Sequence, residues 1–329
     1  MGIWKRFRFA ASAWFAGLMI LVAASPAGAA TTYPAIYVFG DSLSDAGNVW
    51  TLAQRKEPLS PPYSQGRFSN GPVWAQDLAR KLGFRVLKPS LQGGTDYAYG
   101  GAESGPTLVH TVEPLLDLPT QIAEFKVNVP HPSSGALFVL WIGANDLIDI
   151  LGANLSSSDQ NTAINDIMTN EEAFLTLLVA NGGKHLMVVT IPDLGATPMF
   201  TSQGTAKAQA ATALTQQFNA QMTSRMKFLA GLSGLDLTIV DTFTLIDSAV
   251  ANPKQYGFNN VTTPCWTGSF TSLSGGTECA LGAVAQDRHL FWDHLHPTAR
   301  AHAAVADAAM TALGVSSGRG RAVGESLLN

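Results

Sequence analysis

Apolar residues gather in four short blocks, Ala35–Phe39, Leu137–Ile142, His185–Ile191 and Leu237–Val240. Each is a strand candidate. Phe84–Leu87 is a shorter fifth candidate. Between the blocks the period changes: Ile164, Ile167, Phe174 and Leu178 mark one amphipathic helix, and Leu214, Phe218, Met222, Met226 and Leu229 another. These stripes are core faces rather than cofactor boxes. Alternation of strand and helix predicts an α/β fold whose mostly parallel sheet is covered on both faces.

Upstream of the first block, Lys5, Arg6 and Arg8 precede an apolar stretch, Phe9 to Ala24, and the small-residue run Ser25-Pro-Ala-Gly-Ala29. A basic start, a short apolar centre and an A-x-A site are the parts of a secretory signal peptide. The apolar centre is short for a membrane span, so residues 1–29 are expected to be a cleaved leader rather than an anchor. Cleavage after Ala29, or after the neighbouring Ala30, leaves a catalytic domain over 30–314 and a disordered tail over 315–329. Losing three leader cations makes the mature chain more acidic than the formal net charge of -4 for the full sequence. With 13% charged residues and no polybasic block, nucleic acid is not an expected partner. Export also bears on Cys265 and Cys279: an oxidising compartment favours a disulfide, and closing a loop of about 15 residues is worth roughly 3 kcal/mol in the chain-entropy model.

The chemistry-bearing residues stand at the ends of the apolar blocks. Ile36-Tyr-Val-Phe-Gly-Asp-Ser42 runs straight into a turn and leaves Ser42 where a strand stops, the position from which open α/β sheets present side chains to ligands. A serine hydroxyl is a poor nucleophile until an imidazole takes its proton and a carboxylate fixes that imidazole. Asp293 and His296, spaced i, i+3 in Leu290-Phe-Trp-Asp-His-Leu-His-Pro-Thr298, supply both. Pro297 suits the first helical position, which puts His296 in the exposed loop leading into a last helix that closes at Gly314. Ala136–Ile142 is followed at once by Gly143-Ala-Asn-Asp146, where the Asn145 amide can stabilise an oxyanion without competing as a base. Asp96-Tyr-Ala-Tyr-Gly-Gly-Ala102 offers a further backbone N–H, from Gly100 or Gly101.

In this order the four segments resemble the GDSL lipase/esterase family, also called SGNH hydrolases, and in particular its secreted bacterial phospholipase, lecithinase and hemolysin-like branch. The similarity runs through Gly40-Asp-Ser-Leu-Ser-Asp-Ala-Gly-Asn48, Gly66-Arg-Phe-Ser-Asn-Gly-Pro-Val-Trp74, the Gly100-Gly101 segment, Gly143-x-Asn-Asp146 and Phe291-Trp-Asp-x-x-His-Pro-Thr298. The resemblance implies a flavodoxin-like three-layer α/β/α fold and a Ser42, His296 and Asp293 triad. It also implies an oxyanion hole made by the Ser42 and Gly101 N–H groups with Asn145, Gly101 being preferred because it lies five residues after Asp96. Many relatives carry Asn where this chain has Asp96. Ile191-Pro-Asp-Leu-Gly-Ala-Thr-Pro198 is family-like too, and its Pro and Gly suit a sharp strand exit with a structural role.

The function so implied is a secreted or periplasmic serine esterase or lipase that hydrolyses short-chain or lipid carboxylic esters through an acyl-enzyme, with no cofactor. Its partners would be a small-molecule or lipid ester and, transiently, membrane lipid; the oligomeric state is open. Glycerophospholipid acyltransfer, carbohydrate O-deacetylation and a non-catalytic binding domain are the alternatives. Trp50, Phe68, Trp141 and Trp292 flank the motifs and either line an acyl or sugar site or simply pack. His289, His294, His296 and His302 fall close enough to suggest zinc, but Asp293-x-x-His296 already fits the triad and no second cluster supports a metal. His302 is expected on the helix surface. His294 could stand in for His296. His110, His131 and His185 have no motif around them.

Overall fold

The computed structural model describes residues 33–110 and 116–315. The expected leader, 1–29, and the tail beyond 315 lie outside the described residues. The chain divides into units 1–31 and 32–329, and every element below belongs to the second. In chain order these are β1 (Ile36–Gly40), α1 (Asn48–Leu52), α2 (Trp74–Lys81), α3 (Leu118–Asn128), β2 (Leu137–Trp141), α4 (Ala144–Gly152) and α5 (Ser157–Ala180). There follow β3 (His185–Val189), α6 (Pro198–Thr201), α7 (Thr205–Ser233), β4 (Asp236–Val240), α8 (Thr242–Ala251), α9 (Ala283–Gln286) and α10 (Ala299–Ala312).

Among the described residues the four strands form one parallel sheet in the order β1-β2-β3-β4, with Ile36 beside Leu137, Leu137 beside His185 and His185 beside Asp236. All five residues of β1 and of β2 are buried, which requires cover on both faces and explains why these strands read as unbroken apolar runs. Helices supply the cover. Ile164, Ile167, Phe174 and Leu178 of α5 and Leu214, Phe218, Met222 and Met226 of α7 are buried as the periodicity predicts. Phe39 packs its ring against Tyr97, Phe125 and Phe174 and so joins the first strand to the helices around it. The result is a three-layer α/β/α fold.

Phe84–Leu87 is not a strand. The Phe84 N–H closes the end of α2 by donating to Ala79 C=O, and Arg85 and Val86 are exposed. The neighbour of β1 on its free side is instead the stretch around Asp96. Val38 N–H donates to Thr95 C=O, Tyr97 N–H to Val38 C=O and Tyr99 N–H to Gly40 C=O. Pro297 also falls short of the helix expected to begin with it, because α10 starts at Ala299 with Thr298 as its N-cap.

Parallel strands place their C-terminal ends on one edge, and each of the four feeds a segment there. Ser42 follows β1, Asn145 follows β2, Pro192–Thr197 follows β3 and Thr242 follows β4.

Candidate active site

Along that edge Ser42 Oγ lies 2.8 Å from His296 Nε2, and His296 Nδ1 lies 2.8 Å from Asp293 Oδ2. Ser42 is 254 residues from His296 in sequence, so the fold alone unites them. Asp293 Oδ1 accepts the Leu295 and His296 N–H groups at 2.8 and 2.7 Å, and Oδ2 also accepts the Tyr63 hydroxyl at 2.7 Å. Burial alone would raise the Asp293 pKa. The charge and hydrogen bonds of His296, with the Tyr63 hydroxyl, outweigh it and hold the carboxyl below its ordinary value. His296 shows the converse: burial works against its protonation, but Asp293 first and Asp41 second raise it above an ordinary imidazole.

His296 is buried, not exposed as its loop position suggested. The ring sits 5.3 Å from that of Phe68, and the loop is pinned from the remote segment 66–74. Ser69 Oγ donates to Pro297 C=O at 2.9 Å, and Asn70 Oδ1 accepts the Ala299 N–H at 2.8 Å. His302 belongs to the same fastening. It is buried in α10 and its Nδ1 accepts the Trp74 N–H at 3.2 Å, which corrects its expected place on the helix surface. Of the other histidines in that window, His289 Nδ1 faces Thr263 C=O, and His294 is exposed with no part in the Ser42 contact.

One hydrogen bond distinguishes the two glycines of the doublet. Gly100 N–H donates to Asp45 Oδ2 at 2.9 Å, while the Gly101 N–H has no acceptor among the described residues. Gly101 sits at φ +82°, a conformation that costs an L side chain, and a Cβ on Gly100 would collide with the Phe68 ring. Asp45 itself is a backbone clamp. It also accepts the Gly47, Asn48 and Val49 N–H groups, and Asn48 Nδ2 reaches across to Asp96 and Ala98 C=O. Burial pushes the Asp45 carboxyl up to about 6 against those donors. The Asn145 amide donates to Ala102 C=O at 2.8 Å, which fixes its plane and leaves a second N–H.

Ser42, His296 and Asn145 share the wall of a cavity of about 40 Å³. The rest of its wall is mainly apolar, from Trp141, Leu194, Ile246, Phe291 and Val305 among others. Trp141 therefore does line the cavity. Phe68 backs the His296 ring, Trp292 is fully buried beside Tyr63, and Trp50 carries Arg55 over its ring. Pro192, Asp193, Leu194 and Thr197 line the same cavity, so the segment after β3 shapes it as well as leaving the strand. Asp41 enters the wall too; burial pushes its carboxyl up to about 7, and its Oδ2 finds no partner among the described residues. Beyond His296 a more open hollow is walled by Tyr63, Met199 and Phe270, the last within the loop closed by the Cys265–Cys279 disulfide (S–S 1.98 Å). Tyr63, Asp45 and Asp41 are the members that sequence reasoning passed over. Asp41 and Asp45 stood inside the Gly40–Asn48 motif, whereas nothing around Tyr63 marks it as a partner of Asp293.

The profile of the GDSL-like Lipase/Acylhydrolase family matches residues 36–309, a span that carries every segment just described. The chain belongs to this family. Within it, the chain is 28% identical over 339 residues to the phosphatidylcholine-sterol acyltransferase of Aeromonas hydrophila, covering 91% of this chain and 96% of that protein. The thermolabile hemolysin of Vibrio parahaemolyticus is 24% identical, over 83% of this chain and 62% of its own length. An Arabidopsis thaliana protein described as an inactive GDSL esterase/lipase-like protein is 26% identical over 81% of this chain and 68% of its own. Among solved structures, Axe2, an acetylxylan esterase from Geobacillus stearothermophilus, aligns with a TM-score of 0.43 at 13% identity, over 89% of this chain and 100% of that one. Among the described residues no helix is long and apolar enough to cross a membrane.

Proposed function

We propose that this GDSL-family protein is an exported serine esterase that cleaves carboxylic esters through an acyl-enzyme on Ser42. The observation that carries the reading is the unbroken line from Ser42 Oγ to His296 to Asp293 at the mouth of an apolar cavity. In the first half-reaction His296 Nε2 takes the Ser42 proton as Oγ bonds to the ester carbon, then returns it to the departing alcohol. Asp293, held ionised by its four donors, keeps Nε2 as the accepting nitrogen and stabilises the imidazolium between the two transfers. The Ser42 and Gly101 N–H groups and the Asn145 amide are the oxyanion donors. Water, activated by the same histidine, then releases the acid and restores the Ser42 hydroxyl. The acyl group occupies the cavity beside Trp141, Ile246 and Val305, and the alcohol leaves through the hollow beside Phe270.

Export rests on the leader reading, and the Cys265–Cys279 bond suits an oxidising compartment. Acyl transfer to an alcohol is the second reading, favoured by the name of the Aeromonas relative, and it needs only that an alcohol replace water in the second half-reaction. A non-catalytic role is disfavoured because Ser42, Asn145, Asp293 and His296 are all present. The test is the fate of the acyl group when purified mature protein turns over a short-chain nitrophenyl ester with and without glycerol. Free acid in both cases supports the esterase, a glycerol ester in the second supports the transferase, and no turnover contradicts both.

A further inference from the structure

Behind the segment that carries Gly101, three side chains that the esterase reading leaves unused turn toward one point. A Glu103 carboxylate oxygen, a His110 ring nitrogen and an Asp149 carboxylate oxygen all lie within 4.8 Å of one another. Glu103 is only 6% exposed, and its Oε2 is buried without a hydrogen-bond partner among the described residues. A buried carboxylate oxygen with no donor costs free energy unless a proton or a cation completes it. Asp149, exposed on α4, brings a second carboxylate to the same place.

The histidine is oriented as a ligand would be. Its Nε2 lies 2.9 Å from Asp117 Oδ2, and its Nδ1 faces Glu103 Oε1 at 3.1 Å. An imidazole that gives its Nε2–H to a carboxylate presents a lone pair at Nδ1, and here that lone pair meets carboxylate oxygen. Two acceptors face to face call for a proton or a cation between them, and burial with the neighbouring Asp146, Asp149 and Asp117 carboxylates pushes the Glu103 carboxyl up to about 9. A carboxylate holding the far nitrogen of a histidine is also the outer-sphere arrangement that recurs around bound metals. Asp117 fixes the other side as well, because its Oδ1 accepts the Glu103 N–H at 2.9 Å.

We propose that Glu103, His110 and Asp149 form a divalent-cation site, and that zinc is the ion their chemistry suits. One imidazole and two carboxylates are borderline-to-hard donors, which excludes a thiolate-seeking ion and, through the imidazole, disfavours magnesium. Three protein ligands leave a position for water on the exposed side. Zinc–ligand bonds of about 2.0–2.2 Å place neighbouring donors about 3.4 Å apart, so Asp149 closes inward when the ion arrives. Its place in the fold gives the ion leverage. Glu103 follows Gly101 and Ala102, Asp149 lies one helical turn beyond Asn145, and the existing ties between these strips are Asn145 to Ala102 and Asp146 to Ser104. A cation adds a third tie and stabilises the folded unit.

The experiment titrates zinc chloride, then magnesium chloride, into chelator-stripped mature protein by calorimetry, with melting temperature followed in parallel. Wild type is expected to take one equivalent of zinc with a rise in Tm, and magnesium to give neither. Asp149→Asn, at an exposed position, and His110→Ala are each expected to weaken zinc binding at least tenfold and to erase the Tm rise while circular dichroism stays native. A paired His289→Ala/His294→Ala variant is expected to bind as wild type does. Absence of zinc binding in the wild type, or binding undiminished in Asp149→Asn and His110→Ala, overturns the proposal.

Discussion

Tyr63 and His296 share a single oxygen. The phenol of one and the Nδ1 of the other both meet Asp293 Oδ2, at 2.7 and 2.8 Å, while the opposite oxygen is taken by two backbone N–H groups. Burial and the Asp293 charge push the Tyr63 pKa far above that of a free phenol, so the hydroxyl stays a donor. Tyr63→Phe removes one of the groups that keep Asp293 ionised. A hydrogen bond to a charged group contributes about 1.5–3 kcal/mol, so kcat/KM for a nitrophenyl ester is expected to fall about 10- to 100-fold with the fold intact. Unchanged kinetics would remove Tyr63 from the account.

The pH dependence has a defined sign. His296 must be neutral to accept the Ser42 proton, and its pKa lies above the ordinary 6.5. On the proposed mechanism, activity is therefore expected to rise with pH through a midpoint above that value. Asp41→Asn deletes one of the carboxyls that hold the imidazolium, so the midpoint of kcat/KM is expected to move to lower pH. For stability, the raised His296 contributes fully below about pH 6.5 and less as pH rises through its folded value. The lowered Asp293 contributes fully above about pH 3.8 and less as pH falls through its own folded value. Urea midpoints of wild type and His296→Ala across this range check both limbs.

Asn145→Ala removes the proposed oxyanion donor and the tie to Ala102 together. Loss of one such donor typically costs about 3 kcal/mol of barrier, so kcat is expected to drop about 100- to 1000-fold with KM little changed. A fall in KM-dependent binding alone, with kcat preserved, would assign the amide to substrate positioning instead.

On the proposed reading the acyl group enters a cavity of about 40 Å³, a size that favours short chains. Acetyl and butyryl esters are expected to turn over faster than decanoyl or longer ones. Ile246→Ala, which shortens the wall contributed by α8, is expected to move the optimum toward longer chains. A chain-length panel that is flat in both proteins would show that the acyl group lies elsewhere.

The sheet and its helices were legible because period and burial coincide: Leu137–Trp141 is apolar throughout since both of its faces are covered, and the α5 and α7 stripes face the core. Ser42, Asn145, Asp293 and His296 were legible because strand ends and a short Asp-x-x-His spacing carry local signals. What escaped depends on contacts between remote pieces of chain. The edge beside β1 is built by backbone bonds from Thr95 to Tyr99, in a segment without a strong apolar run, and Phe84–Leu87 had only composition in its favour. His302 looked like surface because its partner, the Trp74 N–H, is 228 residues away. Family spacing points to Gly101 over Gly100, and only the structure shows that the Gly100 N–H is engaged by Asp45.

The central claim is that Ser42 is the atom acylated, and a serine-directed fluorophosphonate tests it most directly. Peptide mass spectrometry of the labelled wild type is expected to find one adduct, on Ser42, with label and ester turnover both lost in Ser42→Ala. Labelling at another serine, or a Ser42→Ala protein that still hydrolyses the nitrophenyl ester at the wild-type rate, would contradict it.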